Sequence, residues 1–275
     1  MIPDQLTQAQ FDTVYNFLSL VIASQLFTAL FLVISQHRVL PRYRQALVMS
    51  FIVCGIAAYH YFRIFDSFKA AFVTDAAGGR GMYVQAAGES FNEGYRYVDW
   101  FLTVPLLLAE LIVVLALARK LQRSLLLRLI PASALMIALG YPGEISADDF
   151  TRNVWGLLST IPFLYILYVL FVELTKSLDR QPESVRKTVS RMRILLLATW
   201  GVYPIAYLIP IYFGSAGADA WVAKQVGYSI ADILAKCVYG LLIYRIARLK
   251  SFADDPAFAA EEGESHDRDV ARAAA

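Results

Sequence analysis

Only 17% of the 275 residues are charged, cysteine occurs twice and histidine three times. A soluble domain carries about 25% charged residues, so a charge content this low beside 58% hydrophobic residues excludes an ordinary water-soluble fold and indicates a membrane protein. The two cysteines, Cys54 and Cys237, both fall inside apolar stretches. That excludes a disulfide framework and leaves them as small packing residues. Net charge is +2, with no long basic tract and no nucleic-acid motif, so nucleic acid is not an expected partner. The first ten residues, MIPDQLTQAQ, lack the basic n-region and cleavage site of a signal peptide. The first apolar helix is therefore expected to direct insertion.

What is abundant is long apolar runs. They occur near 12–35, 44–66, 94–118, 125–142, 152–175, 190–213 and 222–247, each close to the roughly 20 residues that span a bilayer. This pattern predicts an all-α membrane protein, a bundle of seven transmembrane helices. The connections alternate in charge. Arg38, Arg42 and Arg44 lie in the first, Arg119, Lys120, Arg123 and Arg128 in the third, and Lys176, Arg180, Arg186, Lys187, Arg191 and Arg193 in the fifth; Arg245, Arg248 and Lys250 follow the last helix. The others are poor in Lys and Arg, as in GEISADDF at 143–150. By the positive-inside rule the N-terminus is outside and the C-terminus cytoplasmic. The expected division is an extracellular segment 1–11, a helical domain 12–250 and a disordered cytoplasmic tail 251–275, whose DDPAFAAEEGESHDRDVARAAA has little to bury. The second connection, 74–94, is long and glycine-rich, with a MYVQ run that could form a hairpin strand.

Charges inside two of these runs need a reason. In the third, RYVDWFLTVPLLLAE, Asp99, Thr103 and Glu110 follow Arg96 by three, seven and fourteen positions, which at about 100° per residue places all four on one stripe. Asp99 and Glu110 are about 16 Å apart along the axis at 1.5 Å per residue. Given the orientation, Asp99 lies in the extracellular half and Glu110 in the cytoplasmic half. In the seventh, Asp232 and Lys236 form an i, i+4 pair near mid-span. An Asp or Lys at a helix centre costs about 2.5 to 3.5 kcal/mol. A structural ion-pair network between the two helices is one explanation. The other is chemical, since a desolvated lysine amine can form a Schiff base with an aldehyde. His60, in AAYHYFRIF, reads either as a satisfied core histidine or as the hydrogen-bond partner of a buried acid.

Together RYVDW on the third helix, WGVYP on the sixth and D-x-x-x-K on the seventh resemble the microbial rhodopsins over nearly all of the chain outside its tails. Within them the sequence is most similar to the proteorhodopsin and xanthorhodopsin group of light-driven proton pumps: Asp99, Thr103 and Glu110 stand at that group's D-T-E motif, His60 at its histidine, and GYPGEIS and WGLLSTIPFLYILYVLFVEL are xanthorhodopsin-like. The resemblance implies all-trans retinal held as a protonated Schiff base on Lys236, with Asp99 and Asp232 as counterions and Arg96 stabilising them. It implies that His60 hydrogen-bonds Asp99, that Thr103 supports it, that Asp99 accepts the proton and that Glu110 donates one. Outward transport follows, in a multi-pass protein of the bacterial inner membrane whose relatives form trimers or pentamers. It is a transporter, not an enzyme.

Trp200, Tyr203 and Tyr207 share one face of the sixth helix, as ordinary core or as a ligand wall. The resemblance makes them retinal contacts, along with Trp100, Thr103, Leu107, Met136, Gly140, Ser159 and Pro204; leucine at 107 goes with green absorption. Gly156 is either a small residue for helix packing or, where archaeal pumps have tryptophan, the window against which an antenna carotenoid lies. One stretch departs from the archaeal pumps. FGSAGADAWVAKQ lacks their paired extracellular glutamates and has Lys224 instead, so the expected release is late, from Asp99 or through His60 and water. A sensory rhodopsin that signals to a partner protein is the alternative function; the carboxylic donor Glu110 counts against it.

Overall fold

The computed structural model describes residues 2–75, 81–146, 148–212 and 217–262, with backbone alone over 208–212. The middle of the second connection, the start of FGSAGADAWVAKQ and the last thirteen residues of the tail lie outside the described residues. Among the described residues seven long helices form: α1 (Gln8–Ile34), α2 (Pro41–Ala71), α3 (Gly94–Val114), α4 (Arg119–Glu144), α5 (Asp149–Leu178), α6 (Glu183–Tyr212) and α7 (Gly217–Asp254). Each contains or nearly coincides with one expected span. Six are long and apolar enough to cross a membrane among the described residues. The other, α6, carries Arg186, Lys187, Arg191 and Arg193 in its first turns. The third helix stops earlier than its apolar run, because Ala116 turns the chain at φ 46°.

Local chemistry sets the helix starts. Thr7 and Gln10 make a reciprocal capping box before α1. Pro41 occupies the first turn of α2, where its missing N–H costs nothing. The Asp148 carboxylate accepts from Thr151 N at 2.8 Å at the head of α5. At the extracellular end a small antiparallel sheet in the order β1-β3-β2 is built from β1 (Gln5–Thr7), β2 (Phe72–Thr74) and β3 (Met82–Gln85), with Leu6 opposite Tyr83 and Val73 opposite Val84. The expected MYVQ strand is β3. It ties the N-terminal segment to the second connection, and Phe11 of α1 stacks on Tyr83 with centroids 3.9 Å apart.

The helices differ in how much they enclose. Of the most apolar stretch of α3, 67% is buried, against 28% in α1 and 17% in α4, so α3 runs through the middle of the bundle and the outer helices face outward. Phe27, Leu157 and Ile161 are each about two-thirds exposed. Such a band on a soluble protein would be an aggregation surface; around a membrane bundle it meets lipid tails.

Two helices pass through a π turn, Val169–Glu173 in α5 and Ile233–Val238 in α7, and the second contains Lys236. The tail corrects the expected domain boundary. Helix α7 continues through residues 251–254, and a short helix covers 256–262, where disorder from 251 is the sequence reading. The Asp255 carboxylate caps this helix, accepting from Ala257 N and Phe258 N at 3.0 and 3.1 Å. Glu262 then pairs with Arg38 and Arg248, and Asp254 with Arg42 and Tyr43. These acids give the segment partners among the cytoplasmic arginines that its lack of apolar residues did not foretell.

Candidate functional site

The charged residues of α3 and α7 meet in the bundle interior. Lys236 Nζ lies 2.7 Å from Asp99 Oδ2 and 2.9 Å from Asp232 Oδ1, all three side chains being 1–2% exposed. Asp232 accepts further from Tyr203 Oη at 2.5 Å and Tyr61 Oη at 2.7 Å. Lys236 stands inside the π turn of α7, a backbone feature frequent at functional sites. Tyr228, Asp232 and Lys236 follow one another at four-residue spacing. Tyr228 is buried and its ring packs on those of Trp100 and Tyr203 at 5.6 and 5.5 Å.

Arg96 is 2% exposed, and its three nitrogens have no hydrogen-bond partner among the described residues. Its guanidinium lies over the rings of Tyr228, Tyr61 and Phe91 at 5.2, 5.8 and 6.0 Å. It balances the site by charge: two cations, Arg96 and Lys236, face two carboxylates, Asp99 and Asp232. The expected hydrogen bond from His60 to Asp99 is not formed. His60 Nδ1 donates instead to the Ile56 carbonyl at 3.0 Å, one turn back on its own helix, and Asp99 Oδ1 has no partner among the described residues. Thr103 Oγ1 donates to the Asp99 carbonyl at 2.8 Å, so it supports the backbone of this turn and does not touch the carboxylate.

In the other half of α3, Glu110 is fully buried. Its Oε2 accepts from Ser50 Oγ of α2 at 2.7 Å, and Oε1 has no partner among the described residues. No cation pairs with it among the described residues. A carboxyl group so placed is suited to hold a proton, because an unpaired buried charge is expensive.

From Lys236 an apolar cavity of about 130 Å³ runs between α3, α4, α5 and α6. With one water needing about 10–15 Å³ on this measure, it has room for roughly ten waters. Its walls include Trp100, Leu107, Met136, Gly140, Gly156, Ser159, Trp200, Tyr203, Pro204 and Tyr207, which are the expected pocket residues with one exception. Thr103 does not line it. Ser159 Oγ is engaged with the Met136 carbonyl at 2.7 Å, and a Cβ on Gly140 would approach Ser159 Oγ and the Tyr97 ring at 3.5 Å. On one side the cavity reaches the outer surface, for Thr160 and Pro204 line it and are exposed, and Gly156 is half-buried. There α5 packs closely on α4 and meets α6 mainly through Tyr207, whose hydroxyl donates to the Arg152 carbonyl at 2.6 Å.

Sequence reasoning missed Tyr61, Tyr228 and Ser50, and it missed an extracellular cluster. Lys224 Nζ of α7 donates to Glu93 Oε2 at 2.8 Å and Glu144 Oε1 at 3.0 Å, and Gln225 Nε2 to Glu93 Oε1 at 3.1 Å. Burial works to raise the Glu93 pKa, but the charge and hydrogen bond of Lys224, with Arg96 nearby, outweigh it and hold this carboxyl down at about 2. The four-residue spacing from Lys224 to Tyr228, Asp232 and Lys236 was the available signal.

The sequence matches the family model described as bacteriorhodopsin-like protein over residues 13–249. It is 28% identical over 231 residues to the green-light absorbing proteorhodopsin of the gamma-proteobacterium EBAC31A08, covering 83% of this chain and 84% of that one. Among solved structures, thermophilic rhodopsin superposes with a TM-score of 0.87 at 44% identity, covering 92% of this chain and 99% of that one. Xanthorhodopsin, described as a light-driven ion pump with dual chromophore, superposes at 0.85 and 47% identity, covering 92% and 98%. The seven-helix bundle and these relatives make it a multi-pass plasma-membrane protein surrounded by lipid bilayer, in a family whose chromophore is retinal. The chain belongs to the bacteriorhodopsin-like family and is a microbial rhodopsin of the proton-pump type.

Proposed function

We propose that the protein uses light to move protons from the cytoplasm to the outside, with all-trans retinal joined covalently to Lys236. The observation that carries this reading is the placement of Lys236 between Asp99 and Asp232 at the end of an apolar cavity, with a second buried carboxyl, Glu110, farther along the same stripe of α3. The cavity fits the group. Its amine lies at one end, its walls are aromatic and aliphatic, and Trp100, Trp200, Tyr203 and Tyr207 would hold a flat polyene between them. Bound there, retinal supplies absorption of visible light and a change of shape at the amine.

The chain's own residues then set the direction. Asp99 Oδ2, 2.7 Å from Nζ, is within reach to accept its proton. Asp232, held by two tyrosine hydroxyls, stays as the fixed anion. Glu110 holds a proton in the cytoplasmic half for return to Nζ, oriented by Ser50. Because α3 runs from outside to inside, acceptance at Asp99 and resupply from Glu110 add up to outward transport. Under this reading the protein is a transporter and not an enzyme. Its opening at Gly156 admits an antenna carotenoid, and assembly into a trimer or pentamer with copies of itself rests on the resemblance alone.

The test is illumination of unbuffered cells carrying the protein with retinal. The medium should acidify, and a protonophore or Lys236→Ala should abolish the change. A coloured protein that gives no pH change in light would reject the reading.

A further inference from the structure

One polar residue stands in the buried seam of α1. The buried side chains of that helix are Val14, Leu18, Val21, Gln25, Ala29 and Leu32. All but Gln25 are apolar, and Gln25 is 0% exposed. A buried amide costs free energy unless it is hydrogen-bonded, and no step of the pumping reading uses this one. Gln25 Nε2 donates to the Asp232 carbonyl at 3.2 Å. The nitrogen must be the atom that faces it, because a carbonyl can only accept. Gln25 Oε1 has no partner among the described residues, so this bond to α7 is the one that orients the amide.

The bond falls at a particular place in α7. Asp232 is the residue from which the π turn Ile233–Val238 starts, and Tyr239 is the residue that closes it. The ordinary i→i+4 ladder is interrupted there, for Tyr239 N–H reaches the Leu234 carbonyl five residues back. A turn whose own ladder is interrupted depends more on what its neighbours supply. Both of its ends have such a neighbour. Gln25 of α1 holds the carbonyl at the start, and at the end Tyr239 Oη, itself buried, donates to the Leu107 carbonyl of α3 at 2.9 Å. Lys236 lies between these two anchors.

We infer that Gln25 and Tyr239 are positioning residues that pin the two ends of the Lys236 turn to α1 and α3, and so hold Nζ beside Asp99 and Asp232. Neither side chain touches the amine. Gln25 acts through the Asp232 backbone, from which the carboxylate meets Nζ and the hydroxyls of Tyr203 and Tyr61. Tyr239 acts through Leu107, which lines the cavity and belongs to the helix that carries Asp99. The arrangement accounts for the one amide in an apolar seam. It also accounts for a tyrosine hydroxyl spent on a carbonyl that a helix ordinarily satisfies within itself. The inference rests on the retinal linkage of the reading above. The competing view is that both bonds only tie helices together, as polar side chains in membrane bundles do.

The experiment uses the full chain with retinal in lipid nanodiscs and two variants that keep the shape but remove the donor, Gln25→Met and Tyr239→Phe. Hydrogen exchange of residues 232–239, followed by mass spectrometry, reads the turn. The visible band, and the C=N stretch of the linkage in light and heavy water, read the surroundings of Nζ. In each variant the segment should exchange about two- to tenfold faster, the contribution of one neutral hydrogen bond. The band should move to longer wavelength and the heavy-water shift of the stretch should shrink, because Nζ then sits less closely on its carboxylates. Val14→Ala opens a cavity in the same seam, about three turns from Gln25. It should lower thermal stability and leave band and stretch unchanged, which separates positioning from mere helix packing. An unchanged band and stretch in one variant removes that residue from the inference. No change in either, or an equal change in Val14→Ala, overturns it. A wild type that stays colourless with retinal rejects the Schiff-base reading, and exchange then decides alone: faster exchange in the variants keeps the two anchors of the turn, and equal exchange removes them.

Discussion

Glu110 depends on one hydroxyl. Ser50 Oγ is its hydrogen-bond partner at 2.7 Å, across the interface of α2 and α3. Ser50→Ala would leave the buried carboxyl without that bond, at a cost of about 1–3 kcal/mol, and should slow return of a proton to Lys236 without changing the colour. Glu110→Gln removes the donor and should slow the same step by about a hundred- to ten-thousandfold. In that variant the rate should rise as pH falls, since bulk water becomes the source. Flash spectroscopy at several pH values measures both; a pH-independent, unslowed return in Glu110→Gln would remove Glu110 from the path. Asp99, Glu110, Asp232 and Lys236 were legible in the sequence because charge in an apolar run is costly enough to demand a use. Ser50 and Tyr61 were not, since serine and tyrosine cost little in such runs and their partners lie on other helices. The orientation of His60 toward its own backbone was illegible for the same reason: sequence spacing places a residue on a face but does not choose its hydrogen bond.

At the scale of the element, the spans were legible to within a turn or so at most ends because apolar length sets them. The π turn around Lys236 was not, having no mark in residue spacing. The residue before α3 shows what an element end can contribute. Glu93 is held at about 2 by Lys224, against an ordinary 4.5. A carboxyl lowered on folding contributes stability that is fully present above about 4.5 and lost as pH falls toward 2. Thermal loss of the visible band should therefore shift to lower temperature across that window in the wild type, and Glu93→Gln should flatten the difference. Equal slopes for the two proteins between these pH values would show that the Lys224 contact does not hold the end of α3. The short helix at 256–262 was unreadable from composition because its anchors, Glu262 and Asp254, find their arginines in other parts of the chain.

The whole molecule is enclosed around α3 and open between α5 and α6. Seven spans and their orientation follow from the sequence, but this opening depends on how two helices pack, and only the small residue at 156 hints at it. A Cβ on Gly156 would lie 3.0 Å from Tyr207 Cε1, tighter than ordinary contact, and Tyr207 cannot easily retreat while its hydroxyl donates to the Arg152 carbonyl at 2.6 Å. A large side chain at 156 must therefore fill the opening or displace the tyrosine from the cavity wall. If the opening admits a carotenoid, light absorbed by that pigment should drive the photocycle of the wild type reconstituted with it. The excitation spectrum should then carry the carotenoid's bands beside those of retinal. Gly156→Trp should lose the carotenoid bands and keep proton transport under light absorbed by retinal alone. Loss of transport together with the bands would mean that tryptophan had disturbed the retinal cavity through Tyr207, and Gly156→Ala, which adds only the Cβ, then distinguishes a blocked opening from a damaged wall. A wild-type excitation spectrum without carotenoid bands in the presence of several such pigments would refute the antenna and leave the opening to lipid chains.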